Sequence, residues 1–255
     1  MAFFDSAGVR IHYELFGDIG EAPPVLLLHG FASNGRVNWI STGWTKTLTD
    51  AGFAVVAMDH RGHGESGKPY DPADYSSPLM AADARRLLDH LGIPAAHVMG
   101  YSMGARVAAF LAVSHPERVA SLILSGMAAN LLKGVGHAEE IAAALEAGSI
   151  DEAPSARGRA FRQFAERTGG DLKALAACMR SGRQPLDANA LAALSMPVLI
   201  TVGELDEIAG PPEPLARLIP GSRVVVLPGR DHMNAVGDKA HKAAVVEFLR
   251  SARRR

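Results

Sequence analysis

A chain of 255 residues with a formal net charge of −1 is long enough for a sizeable core and carries no general attraction for nucleic acid or an anionic membrane. Apolar residues at 48% and charged residues at 21% are ordinary globular proportions, and a single cysteine, Cys178, excludes an intrachain disulfide. The start MAFFDSAGVR lacks the basic and apolar regions of a secretory signal, and no apolar run reaches the roughly 18 residues of a membrane span. A cytoplasmic location is therefore expected.

The first strand signal, Val9–Phe16, alternates apolar with polar and is placed at a sheet edge. Short apolar runs follow at 25–28, 54–58, 97–100, 121–124, 198–202 and 224–227. They are rich in Val, Leu and Ile and do not alternate, as expected of strands buried on both faces of a mostly parallel sheet. Helical signals separate them. Ser77-Pro78 opens a helix that closes at Gly92. A second helix starts at Ser102, with Ala105, Ala108, Ala109 and Ala112 for close packing, and the last covers about 239–250. This alternation predicts a doubly wound α/β fold.

Residues 128–194 break the rhythm. They hold no strand signal, only the helical pieces HAEEIAAALEAG, RGRAFRQFAERTGG and DLKALAACMRSG. An ordinary crossover needs about 10–12 residues or more, so this block is read as an inserted helical cap, with 1–127 and 195–255 forming the core. A cap so placed covers the carboxyl ends of the strands, where open α/β sheets bind ligands.

The segment VMGYSMGARV places Ser102 between Gly100 and Gly104, after a strand and at a helix start. That is the setting of a strained G-x-S-x-G turn which exposes a nucleophilic serine. Such a serine needs a base, an acid to orient the base, and amide donors for an oxyanion. Of ten histidines, His29, His60, His63 and His232 follow strands. His232 stands out, on a loop after the last strand signal. The acid should precede it, and GELDEIAGP offers Glu204, Asp206 and Glu207, with Asp206 deepest in the turn. The Met103 amide, at the helix start, is one candidate oxyanion donor. The Phe31 amide, after Gly30 in VLLLHGF, is the second, with the Phe31 ring lining the site.

With LLLHGF (26–31), MDHRGHGES (58–66), GYSMG (100–104), PVLITVGELD (197–206) and LPGRDH (227–232) in this order, the chain resembles the α/β-hydrolase superfamily, in its cap-bearing branch of single-domain serine hydrolases. The resemblance covers nearly the whole length. It implies Ser102 as nucleophile, Asp206 as acid, His232 as base, and oxyanion amides from Phe31 and Met103. One departure is Ala105, where many members carry a second glycine. The expected reaction is hydrolysis of a small or medium carboxylic ester, lactone or related acyl compound, without cofactor or metal. Thioester, C–C bond and perhydrolysis chemistry would use the same groups, and a non-catalytic receptor on the same fold is the rival of a different class. Phe31, Met127 and Leu131 are the candidate pocket residues, with Leu132, Trp39 and Trp44 behind them. The expected partner is a small acyl substrate; the sequence carries no sign of oligomeric state.

Two other motifs lead elsewhere. Gly62-His63-Gly64-Glu65-Ser66-Gly67 fits a dinucleotide fingerprint, but Pro69 and Pro72 follow it and no helix can start before Ser77. Asp59 and Arg61 in this loop are expected to make structural ion pairs or hydrogen bonds. His60 and His63 are three apart without a further ligand cluster, which is weak evidence for a metal.

Overall fold

The computed structural model of the chain describes residues 2–134, 136–182 and 184–253. Strands are β1 (Ala2–Ser6), β2 (Val9–Phe16), β3 (Val25–Leu28), β4 (Val55–Met58), β5 (Ala96–Tyr101), β6 (Val119–Ser125), β7 (Val198–Gly203) and β8 (Arg223–Leu227). Helices are α1 (Trp44–Asp50), α2 (Ser77–His90), α3 (Met103–Ser114), α4 (Ala138–Glu146), α5 (Ala156–Arg167), α6 (Leu172–Arg180), α7 (Ala188–Ala192), α8 (Glu213–Leu218) and α9 (Lys239–Ala252). The sheet runs in the order β1-β2-β4-β3-β5-β6-β7-β8. Its β1-β2-β4 end is antiparallel, and every pair from β4-β3 to β7-β8 is parallel.

The non-alternating runs have the burial expected of them. Leu26 and Leu28 of β3 belong to one apolar cluster while Val25 and Leu27 belong to another, on the opposite face. Helices α2 and α3 and the cap cover the first face. Trp39, Trp44, Val245, Phe248 and Leu249 fill the second. Both tryptophans are fully buried, so they pack and do not reach a ligand.

Val9–Phe16 is not the edge strand. β1 pairs outside it, with Ser6 opposite Val9. The link is a two-residue turn, Ala7-Gly8, in which both residues have positive φ, 52° and 84°. Primed turns of this kind match strand twist, and the Gly8 that makes this one is visible in the sequence.

Between β6 and β7 the described residues hold helices and turns and no strand, from the 3-10 turn Ala129–Leu132 through α7. This is the inserted cap. Two polar clamps seat it. Arg106 of α3, only 2% exposed, donates to the carbonyls of Asn130, Leu131, Lys133 and Gln184 and fastens the base of the cap to α3. Thr168, after α5, donates to the Ala32 carbonyl at 2.6 Å and ties the cap to the loop after β3.

Candidate active site

The Ser102 turn is built by close backbone approach. Ser102 has φ 53° and ψ −114°, a costly conformation for a residue with a side chain. A side-chain carbon on Gly104 would lie 1.9 Å from the Leu28 carbonyl oxygen, and one on Gly100 would lie 2.1 Å from the Gly104 carbonyl oxygen. Both positions therefore require glycine for space, and the strand and helix are pressed together until Ser102 stands out at the sheet's carboxyl edge. Met103 begins α3, so its N–H has no acceptor within the helix.

Four strand ends converge there: His29 to Phe31 after β3, Ser102 after β5, Asp206 after β7 and His232 after β8. Asp206 Oδ2 lies 2.8 Å from His232 Nδ1, and Oδ1 lies 2.9 Å from it. The carboxylate accepts, so Nδ1 carries the proton. His232 Nε2 is then the acceptor for the Ser102 hydroxyl, 3.0 Å away. The Asp206 side chain is fully buried, and its Oδ1 also accepts from the Ile208 and Ala209 amides. These bonds hold the carboxylate in place independently of the histidine. Tyr101 donates from its hydroxyl to the His232 carbonyl at 2.6 Å and holds the histidine loop against the serine turn. Glu204 faces the loop instead, accepting from the Gly229 amide.

The other histidines after strands do not reach Ser102. His29 is fully buried; its Nδ1 donates to the Gly30 carbonyl and its Nε2 accepts from the His60 amide. Burial lowers its pKa, so it stands as a neutral strut. His60 and His63 pack ring to ring against it, at 4.6 and 5.3 Å between centroids. Asp59 and Arg61 make structural contacts of the expected kind, with His12 for Asp59 and Asp83 for Arg61 at 2.6 Å.

A cavity of about 490 Å³ opens at Ser102 and His232. Phe31 lines it, with its ring 6.0 Å from that of Phe161 in the cap. Met127 and Leu131 do not line it. They are buried in the core beneath the cap, because the turn that carries Leu131 is held down by Arg106. The cap's share of the wall comes instead from α5, through Ala160, Phe161, Gln163, Phe164 and Arg167. Ser33, Val37, Asn38 and Thr42 line it from the segment after β3, and Ile208, Met233 and Val236 from the loops after β7 and β8. The sequence marks the α5 helix but not its place in the cavity wall, since periodicity shows a helix but not what its apolar stripe faces. Among the described residues no cluster of three His, Cys, Asp or Glu side chains could hold a metal ion, and no helix is long and apolar enough to cross a membrane.

A doubly wound sheet with a helical insertion after β6, and with Ser, Asp and His at the ends of β5, β7 and β8, defines an α/β protein built around a serine turn. Residues 23–173 match the alpha/beta hydrolase fold family, and the chain belongs to it. Over 122 residues it is 43% identical to the dihydrolipoyllysine-residue acetyltransferase component of the acetoin cleaving system of Cupriavidus necator, covering 48% of this chain and 30% of that protein. Over 120 residues it is 36% identical to epoxide hydrolase 4 of Mus musculus, covering 46% and 32% respectively. The chain thus matches about a third of the length of these curated relatives. Among solved structures, a hydrolase from Pseudomonas aeruginosa superposes with a TM-score of 0.80 at 27% identity, over 97% of each chain. A thermophilic esterase from Thermogutta terrifontis superposes with a TM-score of 0.75 at 26% identity, over 98% of this chain and 97% of that one.

Proposed function

We propose that the protein is a serine hydrolase that cleaves a small or medium carboxylic ester, lactone or related acyl compound through an acyl-enzyme on Ser102. The observation that carries this reading is the hydrogen-bonded series from Asp206 through His232 to Ser102, with distances of 2.8 and 3.0 Å, at the floor of a cavity. His232 takes the proton of Ser102 as its oxygen attacks the carbonyl, and Asp206 holds the tautomer and stabilises the imidazolium. The Met103 and Phe31 amides receive the oxyanion, each worth about 3–4 kcal/mol in comparable sites. His232 returns the proton to the leaving group, and then activates the water that releases the acid.

The serine argues against epoxide opening. Attack by Ser102 on an epoxide carbon would leave an ether, which water does not cleave under these conditions, whereas attack on a carbonyl leaves an ester that it does. Thioesters and C–C bonds beside a carbonyl pass through the same acyl-enzyme and remain within the proposal. The likeness to the Thermogutta terrifontis esterase supports the ester class. A fluorophosphonate probe tests the assignment: wild type is labelled and Ser102→Ala is not. Wild type that resists the probe, yet binds small acyl ligands, is a receptor.

A further inference from the structure

We infer that Arg167, on the cap helix α5, selects esters that carry a second, ionised acid group, by pairing with that group while the scissile carbonyl meets Ser102. This rests on the hydrolase reading above and names its substrate class more closely.

Arg167 closes α5, and with Ala160 and Phe164 it lies on one stripe of the helix, at spacings of four and three residues. All three line the cavity. Helical side chains lean back toward the amino terminus of their helix. Arg167 is thereby directed over the turn that carries Gln163 and Phe164, both of which stand in the cavity wall. The end of α5 is fixed beside the site. Thr168 donates to the Ala32 carbonyl at 2.6 Å, and Asn34 Nδ2 donates to the Thr168 carbonyl at 3.4 Å. These bonds set Arg167 next to the segment after β3, which supplies Phe31 and Ser33 to the same wall.

Among the described residues that line the cavity, Arg167 is the one arginine or lysine, and no aspartate or glutamate stands with it. It is exposed, and its guanidinium has no ion-pair or hydrogen-bond partner among the described residues. Two other arginines of the helix are engaged. Arg162 donates to Glu166 at 2.8 Å and to the Ala144 carbonyl at 3.0 Å, and Arg159 donates to the Ala153 carbonyl at 3.2 Å. A cation in the last turn suits the helix dipole, which accounts for the sign of Arg167 but not for its place in a ligand wall. The acids of the opposite wall are Glu207, beside Ile208, and Asp231, near Met233. They follow β7 and β8, on the far side of Ser102 from β3. Charge at the two walls is thus of opposite sign, and an anionic group on a substrate is turned toward Arg167. Phe161 and Phe164 share its wall, and an apolar surround strengthens a bond between guanidinium and carboxylate. The planar guanidinium takes a carboxylate through two parallel N–H bonds, so it orients the substrate as well as holding it.

The test compares ester pairs that differ in charge and hardly in size. The monomethyl esters of succinate, glutarate and adipate are set against the same methyl esters with a terminal carboxamide, which places the acid on the acyl side. 4-Acetoxybutanoate against 4-acetoxybutanamide places it on the alcohol side. Hydrolysis is followed by pH-stat at low ionic strength and normalised to the hydroxide-catalysed rates. Wild type is expected to favour the carboxylate in kcat/KM by about tenfold or more in at least one pair. Added salt shrinks that ratio, as it would not for a preference of shape. In Arg167→Gln the ratio falls toward unity, in Arg167→Lys part of it is kept, and in Arg167→Glu it reverses. Each ratio is read within one protein, so a general loss of activity cancels. Equal normalised kcat/KM within every pair in wild type overturns the proposal, as does a preference that survives Arg167→Gln. Both results leave fluorophosphonate labelling of Ser102 intact. Absence of labelling and of any ester turnover in wild type overturns the hydrolase reading, and the selection by Arg167 with it.

Discussion

Two histidine–aspartate pairs of nearly equal length occur among the described residues. His12 Nδ1 meets Asp59 at 2.9 Å, and His232 Nδ1 meets Asp206 at 2.8 Å. Both carboxylates also accept two backbone amides: Gly35 and Glu65 for Asp59, Ile208 and Ala209 for Asp206. The pairs differ in what the second ring nitrogen meets. For His232 it is the Ser102 hydroxyl at the floor of a cavity. The His12 ring packs on Phe3, and its Nε2 has no hydrogen-bond partner among the described residues. A short His–Asp contact therefore marks a well-held imidazole and nothing more. The third group, and the space beside it, separate a site that can transfer a proton from one that braces loops.

The strongest way to break this comparison is at the cavity pair. Asp206→Asn keeps an oxygen for the Ile208 and Ala209 amides but presents an amide NH2 to His232, which then holds the wrong tautomer. Ester kcat is expected to fall by about 10⁴-fold with only a small change in thermal midpoint. Steady-state kinetics and a melting curve on the same sample check this; retained turnover would remove Asp206 from its proposed role.

The same substitution at the other pair should reverse the pattern. Asp59→Asn sets an NH2 group against the Glu65 amide, leaving two buried donors facing one another whichever tautomer His12 adopts. A loss of about 3 kcal/mol of stability in urea titration is expected, with turnover per folded molecule retained. The pH dependence sharpens the contrast. Burial on its own would raise the Asp59 pKa, but the hydrogen bond from His12 and those from the Glu65 and Gly35 amides outweigh it and bring it down to about 2. A carboxylate held below its ordinary value stabilises the fold fully above that value and loses the contribution as pH falls. Between roughly pH 4 and pH 2 the wild type should lose about 2 kcal/mol that Asp59→Asn does not lose. Unfolding midpoints across that window measure it. The smallest effect is expected for His12→Asn, whose side-chain amide can still donate to Asp59. It should cost about 1 kcal/mol and leave turnover unchanged, read by the same two assays.

Much of the architecture was written locally. Runs such as VLLL and VLITVG, short, rich in Val, Leu and Ile and without alternation, read as strands covered on both faces, and the cap shows in the lack of any such run between Ser125 and Val198. The serine turn was legible because its glycines are required within a few residues of Ser102, where backbone meets backbone. β1 escaped because its signal is the short turn Ala7-Gly8 rather than a long apolar run. Apolar runs alone therefore put Val9–Phe16 one position too far out.

By itself the sequence determined the alternation of inner strands and longer helices, the strained turn at Ser102, and Asp206 and His232 as first choices among the loop acids and histidines. Those depend on contacts between near neighbours in the chain, which composition and spacing record. Only the tertiary structure shows Asp206, the acid singled out from that turn, meeting His232 across 26 residues while Glu204 turns to the Gly229 amide. It likewise decided that α5 rather than Met127 and Leu131 closes the cavity, and that Arg167 of α5 stands in its wall. Each of these depends on which surfaces the folded sheet brings together, and sequence spacing does not record that.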